Sequence, residues 1–385
     1  MKTILLAIAL AVSNLAWSQS ATDPFAAFSA QKKSITLRTG ISMKYAEAGN
    51  PFGTPVILLH GYTDSGRSFQ FVLPALEKEN PQLRIIAPDL RGHGESSMPD
   101  SVECREHPET CFEPADFAAD IVALMDGLNI PKAHIVGHSM GSAVAQELAL
   151  HHSGRVNSLV LIGTFVNGKE SPTCSFLGEM VEKNWRAVLE KRPGFRWPAD
   201  AWALTANDVG DEATGFMQNF WVVDPVAEDA FIKAVLPETG RVKLGTWIGV
   251  IKALQQIDNR EALKNLKKPT LILWATQDNA FPAEPDQQGV REAFEAAAEI
   301  NGARAIYKTY GKTPLPTSGM QESDLGHNLH WGAPDEVATD IASFIRTGFP
   351  TPGLPYANPD NVKQVLIEVT DSNITTWGQN AFLKK

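Results

Sequence analysis

The chain has 385 residues, 43% hydrophobic and 20% charged, which is enough apolar material for one large core or two smaller ones. Its formal charge of -10 argues against a nucleic-acid partner, because that binding rests on clustered basic side chains that neutralise phosphates. Three cysteines are too few for a disulfide-built scaffold, and their spacing fits no zinc motif.

In chain order, residues 1–18 read as an export signal: Lys2 gives the positive start, Ile4 to Val12 an apolar run, and Ala16-Trp17-Ser18 small residues where a signal peptidase reads. A mature chain beginning near Gln19, periplasmic or secreted, is expected. The apolar run is shorter than the roughly 20 residues of a spanning helix, and no later segment approaches that length, so stable membrane insertion is not expected.

Residues 34 to 47 read as a two-stranded hairpin. Apolar strand-like runs then recur at Val56 to Leu59, Arg84 to Ala87, Ala133 to Val136, Leu159 to Ile162, Thr270 to Trp274 and Arg304 to Tyr307. Helical spacing separates them, as in Pro114 to Leu128, Ser139 to His151 and Pro334 to Ile345. Continuous apolar strands alternating with helices predict an α/β fold, a mostly parallel sheet covered by helices on both faces.

The alternation breaks over 165–268, which holds Trp185, Trp197, Trp202, Trp221 and Trp247 and predicts a helical cap inserted between two sheet strands. That divides the core into 19–164 and 269–347. A Pro-rich tail, 348–385, follows, with an apolar stretch at Val362 to Val369 suited to an extra strand or helix. Cys104 and Cys111 bracket a polar loop that a disulfide would close, worth at most about 2.5 kcal/mol, which leaves Cys174 as a buried thiol. Lys267-Lys268 reads as a solvated turn.

The chemistry centres on Gly137-His138-Ser139-Met140-Gly141, a Gly-x-Ser-x-Gly pattern with a strand run leading in and a helix leading out. That setting holds a serine at the tip of a strained turn, and the glycines are required where a Cβ would collide with neighbouring backbone.

On these residues the chain resembles the α/β-hydrolase-fold enzymes, in the broad group of capped esterases, lactonases and carbon-carbon bond hydrolases, over roughly residues 34 to 347. His60-Gly61-Tyr62 resembles the family's oxyanion loop, and Asp89-Leu90-Arg91-Gly92-His93-Gly94-Glu95-Ser96 its glycine-rich turn. The resemblance implies Asp278, after the strand Thr270 to Trp274, as the acid; Ala275 stands where the family usually has glycine. No carboxylate stands in Gly163 to Asn167, where other families place the acid. It implies His327, in the Gly326-His327 pair, as general base, with His330 as the rival, and the backbone N–H groups of Tyr62 and Met140 as oxyanion donors.

Each implied role answers a chemical need. A serine hydroxyl requires a base within hydrogen-bond reach, and histidine titrates near neutral pH. An aspartate fixes the imidazole tautomer, and two backbone N–H groups meet the charge that develops on the substrate oxygen. His60, His93 and His138 read as turn or packing residues, Asp64 and Glu95 as solvated or capping, and Arg67 and Tyr62 as residues that can reach substrate.

The expected activity is cleavage of a carboxylic ester or lactone through an acyl-enzyme, with no cofactor or metal and a mainly apolar small-molecule substrate. The extended loop around Lys312-Thr313-Pro314-Leu315-Pro316 is expected to help shape the pocket. Carbon-carbon bond hydrolysis and perhydrolase chemistry use the same triad. Dehalogenases and epoxide hydrolases of this fold use an aspartate nucleophile, and Ser139 argues against them. A catalytically silent binding protein is the alternative outside enzymes.

Overall fold

The computed structural model describes residues 24–222, 227–311, 325–352, 355–357, 366–368 and 374–377. The export signal of residues 1–18, the Lys312–Pro316 loop and all of the Val362–Val369 run except Leu366–Glu368 lie outside them.

The hairpin is β1 (Lys33–Thr36) and β2 (Ser42–Gly49), antiparallel. The six apolar runs form β3 (Thr54–Leu59), β4 (Leu83–Pro88), β5 (Ala133–His138), β6 (Val156–Ile162), β7 (Thr270–Ala275) and β8 (Ala305–Tyr310). The tail contributes a two-stranded ribbon of β9 (Pro355–Ala357) and β10 (Leu366–Glu368), and an edge strand, β11 (Ile374–Trp377). The nine-stranded sheet runs β1-β2-β4-β3-β5-β6-β7-β8-β11, with every pair from β4 through to β8 parallel.

Both faces of the sheet are buried because successive side chains point into different cores. Ile57, Leu59, Ile135, Leu159, Leu161 and Ile272 join one apolar cluster, whereas Val56, Leu58, Val136, Val160, Ile162 and Leu271 join the other. The helices Pro114–Gly127, Met140–His151 and Gln288–Asn301 cover the first face, and Val72–Glu79 and Pro334–Thr347 the second.

Their ends have local causes. Pro114 opens its helix beside a capping box in which Glu113 N donates to Asp116 Oδ2 at 3.0 Å. Gly348, at φ +81°, closes Pro334–Thr347.

Between β6 and β7 the described residues are helical, with isolated bridges and no sheet strand. Trp185 and Trp247 are fully buried and pack edge to face with centroids 4.9 Å apart. The helix Leu244–Leu254 leans on the segment closed by the Cys104–Cys111 disulfide. A Cβ on Gly249 would lie 2.7 Å from the Pro108 carbonyl oxygen, and Lys252 Nζ meets Glu109 Oε2 at 2.6 Å. The bridge thus fixes the surface against which this helix docks.

At the far side of the sheet Lys308, on β8, is fully buried against Asp340, with Nζ 2.6 and 2.5 Å from the two carboxylate oxygens. Asp340 also accepts from the Tyr310 hydroxyl and the Thr351 N–H, which ties the chain leaving the last helix back to the sheet. Burial pushes the Lys308 ammonium down and the Asp340 carboxyl up, so the charged pair bears a desolvation cost. Asp340→Ala alone should lower unfolding free energy in urea by about 3–5 kcal/mol. The double variant Lys308→Met/Asp340→Leu should recover at least half of that loss.

Candidate active site

The strand order reverses at β3, whose neighbours are β4 and β5, and ligands of open parallel sheets bind where such a reversal parts the loops at the carboxyl ends of the strands. The loop after β3 begins His60-Gly61-Tyr62, and the turn after β5 holds Ser139. Ser139 sits at φ 52°, ψ -119°, a conformation that costs a non-glycine residue about 1–3 kcal/mol.

Close packing fixes that turn. A Cβ on Gly137 would lie 2.3 Å from the Gly141 carbonyl oxygen, and one on Gly141 would lie 2.2 Å from that of Leu59. Ser139 N–H donates to the Ile162 carbonyl at 3.0 Å, and the Ser142 hydroxyl donates to the Ser139 carbonyl at 2.6 Å. The serine is therefore clamped by β3, β6 and its own helix.

Asp278 lies in the turn after β7. Its Oδ1 accepts from Ala280 N–H at 3.0 Å and Phe281 N–H at 2.8 Å, and its two oxygens lie 3.0 and 3.1 Å from His327 Nδ1. A backbone bridge between Gln277 and Gly326 draws the two loops together, with Gln277 N–H donating to the Leu325 carbonyl at 3.2 Å. With the Nδ1 proton directed at the carboxylate, Nε2 of His327 is left as the acceptor.

Two other histidines pack in line with His327. The His138 ring lies 4.8 Å from that of His327 and 4.3 Å from that of His330. Both flanking rings are buried, and burial pushes His138 well below the usual histidine range and His330 down to about 3. His330 Nε2 lies 2.8 Å from Ser68 Oγ, away from Asp278, so the structure joins His327 and not its rival to the acid. His60 is a turn residue: Nδ1 donates to the Gly61 carbonyl at 2.8 Å and Nε2 accepts from Leu90 N–H at 2.9 Å.

Ser139 and His327 line one cleft with about 440 Å³ of space free of protein atoms, its open mouth included. Tyr62 lines it too, with its phenol donating to the Trp247 carbonyl at 2.5 Å. The N–H groups of Tyr62 and Met140 donate to no backbone carbonyl among the described residues. Trp221, Val222, Val235 and Thr239, from the segment between β6 and β7, form the opposite wall.

Two residues differ from their sequence reading. Asp64, expected to be solvated or capping, is buried in the wall of the cleft, because its loop folds under that same segment. Arg67 does not reach the cleft: it is buried with Nε on Glu238 at 2.7 Å and its remaining nitrogens on the Phe25 carbonyl, Gln70 and Ser29. Glu238 also accepts from Ser65 Oγ at 2.7 Å, which pins the helix Asp229–Arg241 over the loop that follows β3.

Gly163 escaped the sequence reading. It ends β6 at φ +51°, and a Cβ there would sit 3.0 Å from His327 Nδ1. A glycine directly after a buried strand was the available signal, but only the fold shows which side chain leans on it. Gly163→Ala should displace the imidazole and slow fluorophosphonate labelling of Ser139 on the order of 10–100-fold, with far-UV circular dichroism unchanged.

The alpha/beta hydrolase fold family profile matches residues 54–208. Epoxide hydrolase A of Mycobacterium tuberculosis is 29% identical over 157 residues, 40% of this chain and 46% of that protein. The dihydrolipoyllysine-residue acetyltransferase component of the acetoin cleaving system of Pseudomonas putida is 38% identical over 261 residues, 65% of this chain and 59% of that protein. The chain thus spans about half the length of these two curated relatives. The crystal structure of the enol-lactonase from Burkholderia xenovorans LB400 superposes with a TM-score of 0.57 at 19% identity, covering 82% of this chain and all of that one.

Proposed function

We propose that the chain is a serine hydrolase of the α/β-hydrolase fold that cleaves a carboxylic ester or lactone. The observation that carries this reading is the shared cleft: Ser139 on its strained turn and His327 line it together, and His327 is held by Asp278. The serine also separates this chain from epoxide hydrolases of the fold, whose nucleophile is an aspartate.

In this mechanism His327 Nε2 takes the Ser139 hydroxyl proton as Oγ bonds to the substrate carbonyl carbon. The carbonyl oxygen becomes an oxyanion and accepts from the N–H groups of Tyr62 and Met140. Losing one such donor costs about 3–4 kcal/mol of transition-state stabilisation. Collapse breaks the bond to the alkoxy oxygen, which leaves with the proton held by His327. Water then gives a proton to Nε2 and attacks the acyl carbon, and the acid departs as Ser139 regains its proton. Asp278 stays ionised and stabilises the imidazolium at each stage.

The helical segment between β6 and β7 acts as a cap in this reading, with Trp221, Val222 and Val235 giving the cleft a largely apolar wall. Purified protein should hydrolyse p-nitrophenyl esters or lactones, and Ser139→Ala should reduce kcat by at least about a thousandfold. Turnover of vinylogous diketones alone would move the assignment to carbon-carbon cleavage. Absence of turnover together with absence of fluorophosphonate labelling would leave a binding protein.

We also propose export, on the composition of residues 1–18, and the Cys104–Cys111 bridge supports an oxidising compartment. N-terminal sequencing of protein from the periplasm or medium should begin near Gln19. Recovery only in the cytosol with Met1 retained would refute it.

A further inference from the structure

Most of the buried aspartates among the described residues have a basic partner. Asp89 has Lys32 at 2.8 Å, Asp120 has Arg91 at 2.6 Å, Asp340 has Lys308 and Asp278 has His327. Two have none among the described residues, Asp64 and Asp286, and of these only Asp64 lines the cleft. A buried carboxylate without a counter-charge is costly, and the cost is relieved when a cation enters beside it.

The surroundings of Asp64 suit a carboxylate. Ser65 N–H donates to its Oδ1 at 2.8 Å, and the neighbouring Ser68 side chain acts with it to favour the ionised form, against the larger effect of burial. The Ser68 oxygen accepts from Trp331 Nε1 at 2.8 Å and lies the same distance from His330 Nε2. Glu238 lies nearby, but its charge is matched by Arg67.

The rest of the cleft fits the same ligand. Among the described residues its lining contains no lysine or arginine, and it includes the aromatic side chains of Tyr62, Trp221 and Trp331. Trp221 is held by its Nε1 donating to Thr63 Oγ1 at 2.6 Å, next to Asp64 in the chain. Aromatic faces beside a carboxylate attract an ammonium group by charge and by the ring quadrupole, whereas a substrate carboxylate placed next to Asp64 would be repelled by it.

We propose that Asp64 is a specificity-determining residue and that the cleft takes substrates bearing an ammonium group, which docks against Asp64 among Tyr62, Trp221 and Trp331. The substrate class is thereby narrowed to cationic esters or lactones, a refinement that rests on the serine-hydrolase reading. Burial raises the Asp64 carboxyl to about 7, so an entering cation also favours its ionised form.

The test is binding rather than turnover. Choline and its uncharged isostere 3,3-dimethylbutanol are titrated into the full-length Ser139→Ala protein by calorimetry at pH 8. Choline should bind about tenfold more tightly than the alcohol, and Asp64→Asn in the same background should bring the two within about twofold. Equal affinities in the parent protein, binding of neither, or a preference for choline that survives Asp64→Asn would overturn the proposal. If Asp64→Asn does not fold, the choline-to-alcohol ratio in the parent decides alone. Hydrolysis of p-nitrophenyl acetate by the protein with Ser139 intact is measured in parallel. Turnover without choline preference removes only the inference about Asp64, whereas choline preference without turnover removes only the hydrolase reading.

Discussion

The closeness of backbone around Ser139 is the constraint on which the other parts depend. The turn from β5 into the helix Met140–His151 passes so near the carbonyls of Leu59 and Gly141 that neither Gly137 nor Gly141 has room for a side chain. Packing on both faces of a parallel sheet holds β3, β5 and β6 in register, and the register holds the turn. The local strain at Ser139 is offset by burial spread over two apolar layers, so the position of this serine is a property of the sheet.

Around that fixed point, burial separates three neighbouring histidines. His138 and His330 are buried and held neutral, whereas His327 has a carboxylate on one side and the cleft on the other. In the proposed mechanism this leaves His327, and neither neighbour, to take the proton of Ser139. The neutral rings also place no charge beside the imidazolium, and Gly163 leaves the room it needs. The segment between β6 and β7 completes the enclosure from above, anchored through Glu238 to Arg67 and Ser65 and through the helix Leu244–Leu254 to the disulfide-closed loop.

Much of this was legible in the sequence because two periodicities carry it. The unbroken apolar runs at β3 and β5 to β7 mark strands buried on both faces, and Gly137 and Gly141 mark the turn by the side chains they lack. Asp278 and His327 required the family resemblance, since nothing local distinguishes them from other loop residues. Asp64 was misread as solvated or capping because a charged residue in a polar loop is ordinarily exposed, and Arg67 as able to reach substrate because its partner Glu238 could not be foreseen. Their burial comes from Glu238 and Trp221, more than 150 residues away in the chain, and single-sequence patterns carry no such partner information. β11 was missed for a related reason: Ile374–Trp377 has no strong alternation of its own and becomes a strand by pairing with β8.

That pairing bears on how the molecule is made. β8 would otherwise expose a row of unpaired backbone groups along the edge of the sheet, a template for another chain's strand. Its cover comes from residues 374–377, so the sheet is closed at that edge only after those residues have themselves left the ribosome. Until then the nascent chain carries an adhesive border, and the interval between synthesis of β8 and of β11 is the period in which a chaperone has most to protect.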